Sequence, residues 1–168
     1  MAHVAVVGIG GLAHMALQFA NAWGCEVTAL TTDLTKAHEV RGFGAHNVML
    51  LEEFPALAGR FALVINTANQ PLDWSAVFGS LAPRGRSHQL GAVLQPIQVG
   101  ALDLISFRRS ITGSPTSSPA SLRKMMKFCV RHAIKPQVEH LPFDQVNQAI
   151  DRLHRGDVRS RFVLDQTP

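Results

Sequence analysis

Three closely spaced glycines after an apolar run are the first residues of this sequence whose spacing has chemical meaning. Gly8, Gly10 and Gly11 follow Val4-Ala5-Val6-Val7 and precede Leu12-Ala13-His14, so the string reads Gly-x-Gly-x-x-Ala between an expected strand and an expected helix. In that setting Gly8 permits a tight turn and Gly10 lets the backbone approach a pyrophosphate. Small Ala13 lets the helix lie close to the strand, and the N–H groups of the helix start face the anion. The pattern points to a nucleotide cofactor. Two other readings stay open at this point: a glycine turn with no ligand, and the glycine turn that methyltransferases also place after their first strand.

The end of the second apolar run separates the two nicotinamide dinucleotides. It reads Thr31-Thr32-Asp33-Leu34-Thr35-Lys36. An acid at a strand end accepts the ribose hydroxyls of NAD, and Asp33 is a candidate for that role; it falls past the strand, however, where an aspartate caps the next helix. Thr31 and Thr32 donating to a 2′-phosphate, with Lys36 pairing with it, favour NADP, and this is the preferred reading. The other chemistry-bearing residues form no constellation. Cys25 and Cys129 lie far apart with no Cys-x-x-Cys pair, which argues against a disulfide framework and a cysteine zinc site, and both are expected reduced and buried. The eight histidines show neither His-x-x-x-His nor His-Glu-x-x-His spacing. Each reads as a surface or satisfied core residue except His14, which its position places near the cofactor.

These residues need a scaffold, and the hydrophobic patterning supplies one. Strands are expected at 3–7, 26–31, 47–50, 61–66, 85–91 and 108–114, as short apolar runs of the kind buried on both faces of a parallel sheet. Helices are expected at 11–23, 35–41 and 74–81, the first with Leu12, Met15, Ala16, Phe19, Ala20 and Trp23 on one face. Strands alternating with helices favour a doubly wound parallel sheet, because each parallel step needs a right-handed crossover. Within it, Ser87, His88 and Gln89 are polar residues in a strand that ought to be buried, and buried polar groups need partners. The turn-forming run Gly113-Ser114-Pro115-Thr116-Ser117-Ser118-Pro119 marks a boundary, giving domains 1–114 and 115–168. Beyond it come a helix at 120–132, an extended 136–141, a helix at 143–155 stopped by Gly156, and a closing strand at 161–164.

Composition narrows the class. The 168 residues are 46% hydrophobic and 17% charged, those of a soluble globular domain rather than of a disordered or membrane-spanning chain. No secretory signal is visible at Met1-Ala2-His3-Val4, so a cytoplasmic location is expected. The net charge of +4 is spread along the chain rather than concentrated on one element, which argues for a solvated surface and against nucleic acid; no membrane partner is expected either.

Ordered landmarks then carry a family resemblance. Val6 to Ala16 around the glycine turn, Gly42-Phe43-Gly44-Ala45, Leu81-Ala82-Pro83-Arg84-Gly85-Arg86, Ile111-Thr112-Gly113-Ser114, Ile134-Lys135-Pro136, Asn147 to Leu153, and Arg159-Ser160-Arg161-Phe162-Val163-Leu164 follow one another at characteristic spacing. In this the chain resembles the cofactor-binding, C-terminal part of medium-chain, zinc-type alcohol dehydrogenases, in particular the cinnamyl-alcohol-dehydrogenase-like branch. The resemblance implies a Rossmann fold, a doubly wound six-stranded parallel sheet with helices on both faces. It implies a cofactor site of Gly8, Ile9, Gly10, Gly11 and Leu12 at the pyrophosphate and Thr31, Thr32 and Lys36 at the 2′-phosphate. Thr67, Ala68, Leu90, Gly91, Ala92 and Ser114 would lie toward the nicotinamide. By the same resemblance Thr31 falls where NAD-preferring relatives carry their acid, supporting NADP. Where relatives usually have Gly-Leu-Gly-His, this chain has Gly11-Leu12-Ala13-His14.

The relatives also carry a zinc-binding catalytic domain, against which residues beyond about Ser114 would fold. None of its zinc ligands is in this sequence. The expectation is therefore an NADP(H)-binding domain of an alcohol dehydrogenase, inactive alone, since alcohol oxidation needs zinc to polarise the oxygen. A homodimer is expected through the edge strand near Ile111. The alternative is a non-enzymatic module that senses or buffers nicotinamide nucleotide.

Overall fold

The side chains of the first strand, β1 (His3–Val7), part to two sides, and each side seeds a core. Val4 and Val6 join Val27 and Ala29 under Ala13, Leu17, Ala20 and Val40. Ala5 and Val7 join Leu30 and Val64 under Phe54, Trp74, Val77 and Phe78. This alternation is what a strand buried on both faces requires.

The computed structural model describes residues 1–155 and 161–166. The first of two compact units, Met1–Ile134, holds β1, α1 (Ala13–Ala22), β2 (Glu26–Thr31), α2 (Ala37–Gly42), β3 (Asn47–Leu50), β4 (Phe61–Asn66), α3 (Trp74–Ser80), β5 (Leu81–Gln89), α4 (Ala101–Ile105), β6 (Ser110–Gly113) and α5 (Pro119–His132). The strands form one six-stranded sheet in the order β3-β2-β1-β4-β5-β6, and every neighbouring pair is parallel. The sheet is doubly wound, with helices on both faces, as the alternation of apolar runs and amphipathic segments leads one to expect. Between β1 and β4 the winding direction reverses, and it is at the carboxyl ends of the strands flanking such a reversal that open parallel sheets take their ligands.

The elements start and stop for local reasons. Helix α3 is capped by Asp73, whose carboxylate accepts from the Ala76 N–H at 3.1 Å. Helix α5 is capped by Ser118, has Pro119 in its first turn, and ends at Ala133 in the left-handed conformation, φ 54°. Several boundaries differ from those read off the sequence. Helix α1 begins at Ala13 rather than Gly11. The helix expected at 35–41 is a 3₁₀ turn, Leu34–Lys36, followed by α2, and Asp33 initiates the turn by accepting from the Thr35 N–H at 2.8 Å. Strand β5 starts at Leu81 rather than Gly85, and its pairing with β4 jumps from Phe61–Leu81 to Leu63–Arg86. Pro83, which has no N–H to give a ladder, lies inside that irregular stretch. Strand β5 also ends at Gln89, which leaves Leu90 and Gly91 in a loop. The 3₁₀ segment Leu51–Leu57 and helix α4 were not expected, being too short for periodicity to reveal. Cys25, expected buried, is only half-buried, whereas Cys129 is buried.

The second unit, Lys135–Pro168, contains β7 (Glu139–Pro142), a 3₁₀ turn at Phe143–Gln145, α6 (Val146–His154) and β8 (Phe162–Asp165). Strands β7 and β8 pair in parallel as a separate two-stranded sheet. Arg152 of α6 grips Glu139 with two guanidinium donors, at 2.5 and 3.1 Å, and its head lies 4.8 Å from the Phe162 ring centroid. The compact units divide between Ile134 and Lys135, so α5 belongs with the first unit, beyond the boundary expected after Ser114. Gly156 as a helix stop, and the landmark residues Arg159 and Ser160, lie outside the described residues.

Candidate functional site

The loop after β1 is shaped by two close approaches and one open space. Gly8 has φ +84°, and its N–H donates to the Leu30 carbonyl at 3.0 Å. A Cβ on Gly8 would lie 3.1–3.2 Å from the Ala68 backbone and side chain. Gly91 is tighter still: a Cβ there would sit 2.0 Å from the Ala68 carbonyl oxygen and 2.9 Å from the Thr67 carbonyl carbon. A Cβ on Gly10 would meet nothing within 4 Å. Two glycines thus let the loops after β1, β4 and β5 touch, while the third presents bare backbone to open space.

Helix α1 rises from this loop with Leu12 at its N-cap position and no side-chain cap, and its first turn carries no acidic residue. The other long helix of the unit, α5, is capped by a serine hydroxyl. An N-terminus left without an internal anion, beside bare glycine backbone, is suited to an anion from outside. Ala13 is fully buried, consistent with the close packing expected of it.

Thr67 laces β4 to β1. Its N–H donates to the Val7 carbonyl at 2.9 Å, and its hydroxyl points to the Val7 and Gly8 carbonyls at 2.9 and 3.1 Å. The Leu90 and Gly91 N–H groups both donate to the Asn66 carbonyl, at 2.9 and 3.0 Å, and the Ala92 N–H donates to Asn69 Oδ1 at 3.0 Å. Gly8, Thr67, Ala68, Leu90, Gly91 and Ala92 therefore meet at the carboxyl ends of β1, β4 and β5. Ser114 is joined to the β5 end by a hydrogen bond between its hydroxyl and His88 Nε2 at 3.0 Å.

At the end of β2 the residues divide their labour. Thr31 is buried, and its hydroxyl is committed to the turn: it donates to the Asp33 carbonyl and accepts from the Asp33 N–H, both at 3.1 Å. Asp33 is committed as well, since the Thr35 hydroxyl donates to its carboxylate at 2.6 Å. That bond first, then the Thr35 N–H, with a smaller contribution from Lys36, holds the Asp33 carboxyl below the ordinary carboxylate range. Thr32 and Lys36 are exposed beside them. His14 is 1% exposed with its ring 5.6 Å from that of Phe43, placing it in the packing between α1 and the loop after α2.

Sequence reasoning passed over two residues here. Asn66 and Asn69 hold the loops through their carboxamides, and the only advance signal was polarity at and after the end of an apolar run. Ser87 is buried and His88 and Gln89 are half-buried, and each has a polar partner: Gln89 donates to the Ser87 hydroxyl at 2.9 Å and accepts from Asn66 Nδ2 at 2.9 Å, and His88 Nδ1 meets the Thr112 hydroxyl at 2.9 Å. For a metal the outcome is different, since no trio of His, Cys, Asp or Glu is placed to hold one among the described residues.

Strand order, a glycine turn at the reversal point and an uncapped helix above it define a Rossmann-type dinucleotide-binding unit. Residues 11–131 match the zinc-binding dehydrogenase family, and the chain belongs to that family. It is 45% identical to an aldehyde reductase of Synechocystis over 99% of this chain and 50% of that protein. It is 38% identical to an NADP-dependent alcohol dehydrogenase of Mycolicibacterium smegmatis over 96% of this chain and 47% of that one. Among solved structures, a cinnamyl alcohol dehydrogenase from Sorghum bicolor superposes with a TM-score of 0.90 at 32% identity, covering 98% of this chain and 48% of the sorghum chain. The chain spans about half the length of the curated relatives it matches.

Proposed function

We propose that this chain is the NADP(H)-binding part of an alcohol dehydrogenase or aldehyde reductase. The observation that carries the reading is the open space over Gly10 between two glycines that are packed tight, at the point where the sheet reverses direction. The dinucleotide fits the residues present. The loop Gly8-Ile9-Gly10-Gly11-Leu12 would hold the diphosphate with backbone N–H groups at the start of α1. Thr32 and Lys36, exposed at the end of β2, would receive the 2′-phosphate, with Thr31 and Asp33 keeping the turn that presents them. Thr67, Ala68, Leu90, Gly91, Ala92 and Ser114 would surround the nicotinamide. When bound, the nicotinamide accepts hydride from an alcohol carbon or returns it to an aldehyde. The chain's own task is to fix the dinucleotide and to bring these loops around it.

Zinc does not fit the described residues, so polarising the alcohol oxygen falls to the part of the enzyme represented by the other half of the relatives' length. Residues 1–114 are proposed as the dinucleotide-binding domain and 115–168 as the segment that packs toward that half. The outer edge of β6, which ends the sheet, is proposed as a homodimer contact near Ile111. No described helix is long and apolar enough to cross a membrane; a cytoplasmic location is part of the same proposal.

Calorimetric titration of the purified chain with NADPH and NADH tests the reading. Tighter binding of NADPH is expected, and binding of neither would overturn it. Light scattering tests the dimer, which a monomer mass at high micromolar concentration would exclude.

A further inference from the structure

The polar triplet Ser87-His88-Gln89 stands in a strand with sheet neighbours on both sides, where apolar residues would pack at least as well. A buried hydrogen-bonded group contributes little net stability over an apolar one of equal volume. What it adds is direction. The triplet alternates between the two faces of the sheet, and on each face it reaches a loop or strand end of the candidate site.

On one face runs a chain of carboxamides. The Ser87 hydroxyl accepts from Gln89 Nε2 at 2.9 Å, Gln89 Oε1 accepts from Asn66 Nδ2 at 2.9 Å, and Asn66 Oδ1 accepts from the Ala68 N–H at 3.0 Å. Asn66 is fully buried, and its own carbonyl takes the Leu90 and Gly91 N–H groups. One residue thus sets the loops after β4 and β5 together. On the other face His88 bridges to β6 through both ring nitrogens, Nδ1 to Thr112 at 2.9 Å and Nε2 to Ser114 at 3.0 Å. Hydroxyls can donate or accept, so the ring is held at both ends in either tautomer. Strand β6 is a four-residue edge strand whose pairing with β5 ends at Gly113. His88 carries the β5–β6 attachment one residue further, to Ser114.

We propose that His88, Gln89 and Asn66 are positioning residues for the nicotinamide half of the dinucleotide: two side-chain arms that fix the loops after β4 and β5 and the end of β6. This rests on the NADP(H) reading above and adds to it a division of the site. The adenosine half is held by the β1–α1 turn and the β2 end; the carboxamide arm borders that turn where Ala68 lies beside Gly8, whereas the His88 arm runs to β6, on the far side of β5 from both, so disturbing His88 changes binding of the nicotinamide half only.

The test compares NADPH with 2′,5′-ADP, which carries the 2′-phosphate and lacks the nicotinamide, by calorimetry on the purified chain. In His88→Leu, NADPH affinity is expected to fall about tenfold, the scale of one lost orienting hydrogen bond, while 2′,5′-ADP affinity stays within about twofold. NADPH fluorescence in the complex, which reports the nicotinamide surroundings, should move toward that of the free nucleotide. His88→Gln, which keeps a polar reach toward β6, should recover most of both signals. Thr112→Val, which preserves volume and removes one end of the bridge, gives the same readout should His88→Leu fail to fold. Equal loss for both ligands, or loss for neither, would overturn the positioning role. A wild-type chain that binds 2′,5′-ADP as tightly as NADPH would overturn it too, while leaving nucleotide binding standing. A wild-type chain that binds neither would overturn both readings.

Discussion

Alanine at Gly91 and alanine at Gly10 should fail in opposite ways. A methyl on Gly91 would sit 2.0 Å from the Ala68 carbonyl oxygen, where ordinary contact begins near 3.4 Å, so one loop must retreat by more than an ångström. Neither loop is free to do so, because Asn66 ties Leu90 and Gly91 through its carbonyl and Ala68 through its side chain. Overpacking costs about 1–3 kcal/mol, and a buried hydrogen-bonding group left without its partner about 1–3 more. A loss of roughly 2–6 kcal/mol is a large share of the stability of a domain this size. At about 2–4 °C per kcal/mol, the melting temperature should fall by at least about 4 °C and by as much as about 24 °C. Gly10 has no such neighbour and lies outside the left-handed region, so Gly10→Ala should leave stability within about 1 kcal/mol of wild type. Its methyl instead fills the space into which the diphosphate would come, and NADPH affinity should drop at least about tenfold. Thermal unfolding and calorimetric titration of the two variants read both effects. A Gly91→Ala chain melting within about 2 °C of wild type, or a Gly10→Ala chain binding NADPH undiminished, would refute the reasoning.

Lys36→Ala should lower NADPH affinity by about tenfold with little change for NADH, because in the proposed site only the 2′-phosphate reaches the lysine; equal losses for both nucleotides would remove Lys36 from that role. Ala133 ends α5 at φ 54°, a conformation glycine adopts without penalty, so Ala133→Gly should stabilise the chain by about 0.5–1 kcal/mol in denaturant unfolding, and a loss of stability would be the wrong sign. The Asp33 carboxyl should titrate below an ordinary aspartate in a carbon NMR experiment, and Thr35→Ala should bring it back up. Since its folded pKa lies below its unfolded one, the Asp33 contribution is present above the unfolded pKa and fades as pH falls through the folded one. A midpoint unmoved by Thr35→Ala would assign the depression to another cause.

Much of the fold was legible before any coordinates. The ends of β1, β2, β3 and β4 coincide with those of the apolar runs 3–7, 26–31, 47–50 and 61–66. A strand buried on both faces is largely apolar, and that demand is local. The glycine turn was legible for a related reason, since a strand-to-helix turn with backbone exposed to a ligand tolerates few residue types. Asp33 as the start of a 3₁₀ turn was equally local, its partner Thr35 lying two residues away.

Contacts between distant segments could be decided only in three dimensions. Gly10 and Gly91 look alike in the sequence, and one faces open space while the other lies against the Ala68 carbonyl. That distinction depends on where the loops after β4 and β5 meet. The polar triplet at Ser87 looked out of place because its partners Asn66 and Thr112 lie on neighbouring strands and Ser114 lies just past the end of one. Thr31 was read as a ligand-facing hydroxyl, and folding turned it inward to close the Asp33 turn. Sequence periodicity records which way a residue faces along its own element; which loop lies across from it depends on the order of the strands, and that order emerges only when the sheet is assembled.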